Sequence, residues 1–454
     1  MVARTISVDF SKRVGKIKPV SGVCRGPLFG IDLSIDLCES YRSLRIPAVR
    51  VADVEPPYGG GRFVDIRNIF PDPALDERFP ESYNFAPTDA YLAAIKESGA
   101  EIYLRLGESR DPYEIKPRLK PHLPPEKWAR VCEKIIDHYN RGWGCGFKHG
   151  IKYVEIWSGA DTPDGWCGTR EEYFELYRTV ASHLKSVFPK LRVGAYSSGG
   201  FFALNHYSAT PEEKSYIEFL EAFLTYTSRK ATYAPLDFLS WQCHAESPEE
   251  LSLHANYARS YLSQYGHKRA ASVVSEFSLL PPEGAEQHSL REYPAELASA
   301  LIIAQKSSVD MMFYDNLDPR SRKNSILSLD DNRTLRKYAA HGVLEAFGVL
   351  YAQGTAVQTT DDYRREVYTL ATVGDGCGAL LLVTRNFSGN VEISLRNAPF
   401  TEYSIKAMVG GGDRGAGYTS AKSGIPMNKA SFSLKVGKCE VYLVTFKTAD
   451  EAQI

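Results

Sequence analysis

The sequence predicts an α/β fold, a (β/α)8 TIM barrel, followed by an all-β sandwich. Between about residues 20 and 340, eight short apolar runs alternate with longer amphipathic stretches. Strand-like runs that alternate with helical stretches indicate parallel β/α units, and eight such units are the number in a TIM barrel. After about residue 345, short alternating runs are separated by Gly, Asn and Pro turns, which is typical of a sandwich. We therefore expect the barrel over residues 15–340 and the sandwich over residues 345–454.

Each predicted element follows from its own run. The eight barrel strands are expected at 22–30, 48–54, 101–107, 153–157, 191–196, 236–244, 271–277 and 309–315. Helical periodicity falls between them at 88–98, 125–139, 170–187, 211–227 and 290–307. A doubly wound sheet is the alternative, but the run 22–30 lacks the glycine pattern for phosphate binding that usually follows the first strand of such a sheet.

The predicted sandwich strands lie at 368–373, 378–385, 390–395, 403–409 and within 430–446. The early run 4–10 (RTISVDF) has the same alternation and precedes the first barrel strand. We therefore expect the run 4–10 to join the sandwich.

The composition excludes several classes of protein. Of 454 residues, 43% are hydrophobic and 24% are charged, which is the balance of a globular protein. The net charge of -1 indicates neither nucleic-acid nor membrane-surface binding. The N-terminal sequence MVARTISVDF lacks the apolar core of a signal peptide, so we expect a cytoplasmic protein. The eight cysteines form no C-x-x-C pair, and we expect neither a metal nor another cofactor. The oligomeric state is left open.

The residues that end the predicted strands are acidic, aromatic or polar. In a TIM barrel the active site lies at these carboxyl ends. Carboxylates accept hydrogen bonds from sugar hydroxyls and aromatic rings stack on C–H faces, so the set favours a small carbohydrate or glycoside as ligand. The candidate substrate-binding and catalytic residues at these ends are Asp53, Glu55, Arg105, Glu108, Trp157, Ser158, Asp161, Trp241, Gln242, His244, Glu276, Tyr314 and Asp315.

Two longer motifs resemble a known family. The sequences DIRNIFPD at 65–72 and SYNFAPTD at 82–89 are similar to clan A barrel glycosidases. The resemblance is closest to glycoside hydrolase family 39, the β-xylosidase and α-L-iduronidase group. Shorter similar stretches are LRLG at 104–107, VEIW at 154–157 and VSEF at 274–277. The similarity extends over about residues 15–340, and it implies a retaining glycosidase.

The resemblance implies a nucleophile. Members of the family use a glutamate that ends the seventh barrel strand to attack the anomeric carbon, and Glu276 in VSEF matches that position. A retaining pair needs two carboxyl groups about 5–5.5 Å apart, one ionised and one protonated. The structural alternative is that Glu276 bridges to an arginine of the barrel.

The fourth strand departs from the family pattern. Where the family has Trp-Asn-Glu-Pro, this chain has Trp157-Ser158-Gly159-Ala160. Gly159 stands at the position of the general acid/base, and Ser158 replaces an asparagine that contacts a sugar hydroxyl. Glycine transfers no proton, and loss of this assistance costs about 10²–10⁴ in rate.

Other residues could replace the missing acid. Asp161 lies two positions further on, in the turn DTPDG, where an exposed structural aspartate is the alternative. His244 stands where the family has a tyrosine that orients the nucleophile, and it could orient Glu276, carry a proton or be a buried structural histidine. Glu108 and Glu283 are further candidates. Trp166 resembles a segment that walls the pocket, and its alternative role is packing at a helix start.

These observations predict a glycoside hydrolase of the retaining type, with Glu276 as nucleophile and a non-standard acid/base. A substrate whose leaving group needs no protonation would fit the same residues. Two alternatives stay open: a pseudo-glycosidase that binds carbohydrate without cleaving it, and a transglycosylase.

Overall fold

The computed structural model describes residues 3–30, 33–54, 63–109, 119–205, 208–281, 291–321, 326–360, 366–410 and 421–448. Within these residues, eight parallel strands form a closed barrel and nine strands form a separate mixed sheet. The predicted fold class, a TIM barrel with a β-sandwich, is confirmed. None of the helices in the described ranges is both long enough and apolar enough to cross a membrane.

The strands follow the predicted runs closely. In chain order they are β1 (Ala3–Lys16), β2 (Gly22–Cys24), β3 (Leu28–Phe29), β4 (Ile35–Asp36), β5 (Ala48–Val51), β6 (Glu101–Leu106), β7 (Tyr153–Ile156), β8 (Arg192–Ser198), β9 (Phe238–Ala245), β10 (Ala271–Leu279), β11 (Met311–Tyr314), β12 (Leu327–Leu329), β13 (Leu335–Lys337), β14 (Thr355–Thr359), β15 (Val367–Val373), β16 (Cys377–Thr384), β17 (Gly389–Arg396), β18 (Glu402–Val409), β19 (Ala421–Pro426), β20 (Ser431–Val436) and β21 (Glu440–Lys447). The barrel closes in the order β2-β5-β6-β7-β8-β9-β10-β11. Each of the eight predicted runs therefore contains or overlaps one barrel strand.

Most of the helices connect successive barrel strands, and the last one leads from the barrel to the second sheet. They are α1 (Cys38–Leu44), α2 (Ile66–Ile69), α3 (Ala86–Glu97), α4 (Pro125–Asn140), α5 (Arg170–Val187), α6 (Pro211–Ser228), α7 (Pro248–Gln264), α8 (Tyr293–Lys306) and α9 (Ala339–Gln353). The start of α5 is visible in the sequence, because Thr169 and Glu172 form a capping box. Thr210 and Glu213 do the same at α6.

The interior of the barrel has two layers. Its lower layer is an apolar cluster made only of barrel-strand residues, including Tyr103, Phe238, Val273 and Phe313. Because side chains alternate along a strand, the next inward position is two residues further on, and there β5, β6 and β7 carry Arg50, Arg105 and Glu155. The apolar layer closes one end, so a site can open only at the carboxyl ends of the strands.

The second sheet includes the first strand of the chain. β1 pairs in parallel with β17 and antiparallel with β14. The predicted segment 430–446 forms two strands, β20 and β21, on either side of a turn. Arg385 fastens the sheet to the barrel helices, since it donates hydrogen bonds to Glu249 of α7 and to Glu296 of α8. The domain boundaries expected from the sequence stay a prediction.

Candidate active site

Glu276 faces the mouth of the barrel because of a β-bulge. Val273 belongs to the interior cluster, so strict alternation would turn Ser275 inward and Glu276 outward. The register between β10 and β9 shifts between Val274 and Glu276, and this extra residue re-aims the side chain that follows it. Both side chains then point inward: Ser275 Oγ lies 2.8 Å from Ser197 Oγ, and Glu276 reaches Arg50. The Glu276 side chain keeps 21% of its surface exposed.

Arg50 joins three strands through hydrogen bonds. Its Nη1 donates to Glu276 Oε1 at 2.8 Å, and its Nη2 donates to Glu155 Oε2 at 2.7 Å. The same Nη2 donates to Ser158 Oγ at 3.0 Å. The Arg50 and Glu155 side chains are 1% and 0% exposed, so this ion pair is fully buried. Arg50 thus fixes the orientation of the Glu276 carboxylate from below.

Two carboxylates and a histidine surround Glu276. Asp315 follows β11 and accepts a hydrogen bond from Arg25. His244 Nδ1 lies 2.8 Å from Ser278 Oγ, on the strand that carries Glu276. Asp53 follows β5 and is half-buried. The charges of Asp53, His244 and Asp315 all act on Glu276, so these four residues lie near one another, and their roles stay a prediction. Gln242, paired with Glu276 in the β9–β10 register, lies beside them and contacts Ser197.

The surroundings raise the pKa of Glu276 above its ordinary value of 4.5. Burial is the main cause, and the nearby charges of Asp315 and Asp53 act in the same direction. Arg50 opposes them most strongly, and His244 opposes them as well. An attacking carboxylate must be ionised, so Glu276 should become active at a higher pH than a glutamate with the ordinary pKa would.

The end of the fourth barrel strand carries no acid. Gly159 has a φ of 66°, and its N–H donates to Tyr196 O at 2.6 Å. A glutamate disfavours this left-handed backbone region, so a glutamate placed at position 159 with this backbone would be strained. Ser158 turns toward Arg50 instead.

Asp161 is held by the loop after β8. Its Oδ2 accepts from Ser198 Oγ at 2.7 Å and from Gly199 N at 3.0 Å. The residue is 8% exposed. These contacts use the carboxylate as an acceptor, so they favour a role in holding two loops together. The proton-donor role of Asp161 stays a prediction.

Comparison with known proteins identifies the family. The profile of glycosyl hydrolases family 39 matches residues 59–289, which is half of the chain. The chain belongs to this family. Two similar proteins are a beta-xylosidase of Caldicellulosiruptor saccharolyticus, 27% identical over 124 residues, and a beta-xylosidase of Geobacillus stearothermophilus, 22% identical over 242 residues.

These alignments are partial. The first covers 25% of this chain and 25% of the relative, and the second covers 49% and 44%, so the chain spans less than half the length of either relative. A solved structure covers more: the glucosidase from Croceicoccus marinus aligns over 99% of both chains, with a TM-score of 0.79 and 20% identity. This last likeness shows a shared fold.

Four aromatic residues that the sequence suggested for the site, Trp157, Trp166, Trp241 and Tyr314, are buried in this family 39 chain rather than exposed around the mouth. These residues are 0%, 7%, 0% and 1% exposed, respectively. Trp241 and Tyr314 occupy outward positions of their strands, against helices: Trp241 packs on His254, and Tyr314 Oη bonds Tyr293 Oη at 2.7 Å. Trp157 has a φ of 72°, which breaks the alternation and turns its ring onto Trp166.

Two further candidates support loops. Arg105 Nη2 donates to Asp65 Oδ1 at 2.7 Å, and its side chain is 0% exposed. Glu108 accepts two hydrogen bonds from Arg67 and is 6% exposed. Both side chains are buried, and these contacts tie them to residues 65 and 67 of the segment that follows the second barrel strand. Glu55 and Glu283 lie outside the described residues.

Two residues at the site, Arg50 and Arg25, were not predicted from the sequence. Arg50 carries a signal, because an arginine interrupts the apolar run AVRVADV at 48–54 and an unpaired charge inside a barrel is unfavourable. Arg25 follows β2 with a φ of 65°, and nothing in its local pattern predicts its pairing with Asp315.

Asp53→Asn should lower the pH at which activity appears. The Asp53 charge raises the pKa of Glu276, so removing it should move the acid limb of kcat/KM against pH to lower pH. Asparagine tolerates the φ of 50° that Asp53 adopts. The measurement is the pH profile of kcat/KM for both proteins, and an acid limb at unchanged or higher pH would contradict this assignment.

Proposed function

We propose that this chain cleaves glycosides by a retaining mechanism, with Glu276 as the nucleophile. The observation that carries the proposal is the bulge in β10, which presents a partly exposed carboxylate at the end of the seventh strand and against Arg50. Family 39 membership supports the reaction class. Because the similar proteins are named beta-xylosidases and a glucosidase, xylosides and glucosides are the first substrates to test.

The reaction has two displacements. Glu276 attacks the anomeric carbon, the glycosidic C–O bond breaks, and the electron pair leaves on the departing oxygen. A glycosyl ester of Glu276 results. Water then attacks the same carbon, releases a proton, and frees the carboxylate, so two inversions retain the configuration. Arg50 orients Glu276 and favours its ionised form in the first step.

A fluorinated substrate tests the nucleophile directly. A 2-deoxy-2-fluoro xyloside or glucoside with a dinitrophenyl leaving group should form a glycosyl ester that hydrolyses slowly. Mass spectrometry of the digested protein should find this ester on Glu276. An ester on another residue would overturn the assignment of Glu276. Inverted configuration of the first-formed sugar, followed by NMR, would overturn the retaining mechanism.

Carbohydrate binding without cleavage is the second candidate, and Gly159 at the acid/base position favours it. Calorimetric binding of xylose or glucose, without release of dinitrophenol from a dinitrophenyl xyloside or glucoside, would support this candidate.

Azide should accelerate the second displacement. At the position of the family acid/base, Gly159 presents no carboxylate to repel an anion or to activate water. We therefore expect azide to raise kcat about tenfold or more on dinitrophenyl glycosides and to yield a glycosyl azide, since the loss of a base costs about 10²–10⁴. The measurement is kcat against azide concentration, with chloride at equal ionic strength as control. An unchanged kcat together with a glycosyl azide yield of zero would indicate another base.

A further inference from the structure

Arg25 reaches the carboxyl end of the barrel because of its backbone conformation. It follows β2, in which Cys24 belongs to the interior cluster, so strict alternation would turn the Arg25 side chain outward. Its φ of 65° breaks this alternation, and the guanidinium donates a hydrogen bond to the carboxylate of Asp315. Asp315 lies two residues after Phe313, an interior residue of the neighbouring strand β11, so it faces inward as well. The ion pair therefore forms where the first and eighth barrel strands end.

The surrounding structure holds Arg25 in this conformation. A residue with a long side chain seldom adopts a positive φ, and such a conformation persists only where its neighbours fix it. Arg25 N donates to Arg50 O at 3.0 Å, and Tyr41 Oη donates to Arg25 O at 2.8 Å. The next amide, Gly26 N, donates to Tyr91 Oη at 2.6 Å. Tyr41 of α1 and Tyr91 of α3 are fully buried, so two rigid anchors keep the arginine turned inward.

The carboxylate that Arg25 binds lies on the strand next to Glu276. Asp315 N donates to Phe277 O at 2.8 Å, and Phe277 pairs with Tyr314 in the β10–β11 register. Glu276 and Asp315 flank this pair and both face inward, so their side chains are neighbours at the mouth. The Asp315 side chain is 13% exposed, and water screens partly buried charges only weakly. The charge of Asp315 therefore acts on Glu276 unless a cation balances it.

Further titratable groups face these two carboxylates from the neighbouring elements. Arg50 of β5 divides its hydrogen bonds between Glu276 and Glu155 of β7. The others are the Asp53 carboxylate after β5, the His244 imidazole of β9, the buried Cys24 thiol of β2, and the Arg320–Asp318 ion pair, which lines one small cavity together with Arg25. Among the residues that the structure describes, Arg25 is the one cation that pairs with Asp315.

We propose that Arg25 is a positioning residue of the proposed reaction and that it acts on Glu276 through Asp315. The inference rests on the proposed function of Glu276. Arg25 holds the Asp315 carboxylate at the mouth, where it can accept a hydrogen bond from a sugar hydroxyl, and offsets its charge. Without this ion pair, the two carboxylates would oppose each other's ionisation, and Glu276 would keep its proton to a higher pH.

The pH profile of kcat/KM on a dinitrophenyl xyloside or glucoside tests this role. Arg25→Met should move the acid limb about one pH unit higher, which lowers kcat/KM about tenfold at any pH below the limb. Arg25→Lys keeps the positive charge and should keep the native limb. A loss of packing alone would lower kcat/KM without moving the limb, so the profile distinguishes the two causes.

Removal of Asp315 tests whether Arg25 acts through it. Asp315→Asn alone should move the acid limb to lower pH, because it removes a negative charge near Glu276. Adding Arg25→Met to Asp315→Asn should cause little further shift, since the carboxylate that Arg25 balances is gone. These two variants share the neutral residue 315, so their comparison holds even where Arg25→Met by itself folds poorly.

Arg45→Met is the matched control. Arg45 also has a positive φ, of 52°, but it is exposed and ends α1 just before β5, at the opposite end of the barrel. Its acid limb should coincide with the native one. A native limb in Arg25→Met, or equal upward shifts on adding Arg25→Met with and without Asp315, would overturn this inference and leave the proposed function intact. Absence of turnover of either glycoside by the native protein would overturn the proposed function itself.

Discussion

Glu276→Gln should reduce kcat/KM for nitrophenyl glycosides by at least about 10³-fold, because the amide cannot form the glycosyl ester and loss of a nucleophile costs about this much or more. The amide oxygen can still accept the hydrogen bond from Arg50 Nη1 that the carboxylate accepts in the native protein, so the site should keep its shape. The measurement is steady-state release of nitrophenol. Glu246→Gln, at an exposed position just beyond β9, is the matched control and should retain full activity.

The stability of Glu276→Gln distinguishes loss of the nucleophile from misfolding of the variant. The folded pKa of Glu276 is raised above 4.5, so the stability that this group contributes is present below pH 4.5 and is lost as the pH rises through the raised pKa. Glutamine stays neutral at every pH. The free energy of unfolding of Glu276→Gln at pH 7 should therefore be at least that of the native protein, with the difference shrinking toward pH 4. A less stable variant at pH 7, or activity within tenfold of the native protein, would contradict the role given to Glu276.

Arg50→Met should destabilise the protein by about 3–5 kcal/mol, because it leaves Glu155 as a buried charge without its ion-pair partner. The Glu155 side chain is 0% exposed, and its other hydrogen bond comes from Tyr103 Oη at 3.1 Å. The variant should also lose activity at neutral pH, since Arg50 is the strongest influence that lowers the pKa of Glu276. The measurements are urea unfolding and the pH profile of kcat/KM, whose acid limb should move to higher pH.

A second substitution isolates the buried charge. Arg50→Met combined with Glu155→Gln removes both charges, and it should recover at least half of the lost stability, because the two residues form one network. Arg42→Met is the matched control: its side chain is 48% exposed and pairs with Glu39, so it should cost less than about 1 kcal/mol. A cost below about 1 kcal/mol for Arg50→Met would show that water or a rearrangement satisfies Glu155.

Hydrophobic periodicity predicted the elements well, since it depends on local sequence. All eight barrel strands lie within or overlap their predicted runs, and α5 begins and ends at the predicted residues 170 and 187.

The site was predicted in part. Glu276, Asp53, His244 and Asp315 come together because the carboxyl ends of parallel strands meet at one end of a barrel. Trp157, Trp241 and Tyr314 do not join them, because a list of strand-end residues does not say which face of the strand each one occupies.

The sequence by itself determined the barrel, the glutamate at the end of its seventh strand and the glycine at the end of its fourth. Hydrophobic periodicity predicts the strands and helices, and the residue at each strand end is read directly from the chain. The tertiary structure decided where the side chains point. One extra residue in β10 turns Glu276 inward, and a positive φ turns Trp157 outward. Such bulges and reversals arise from pairing with neighbouring strands, which a single run of residues does not encode. The position of Arg50 between Glu155 and Glu276 likewise exists only when three distant strands close into one barrel.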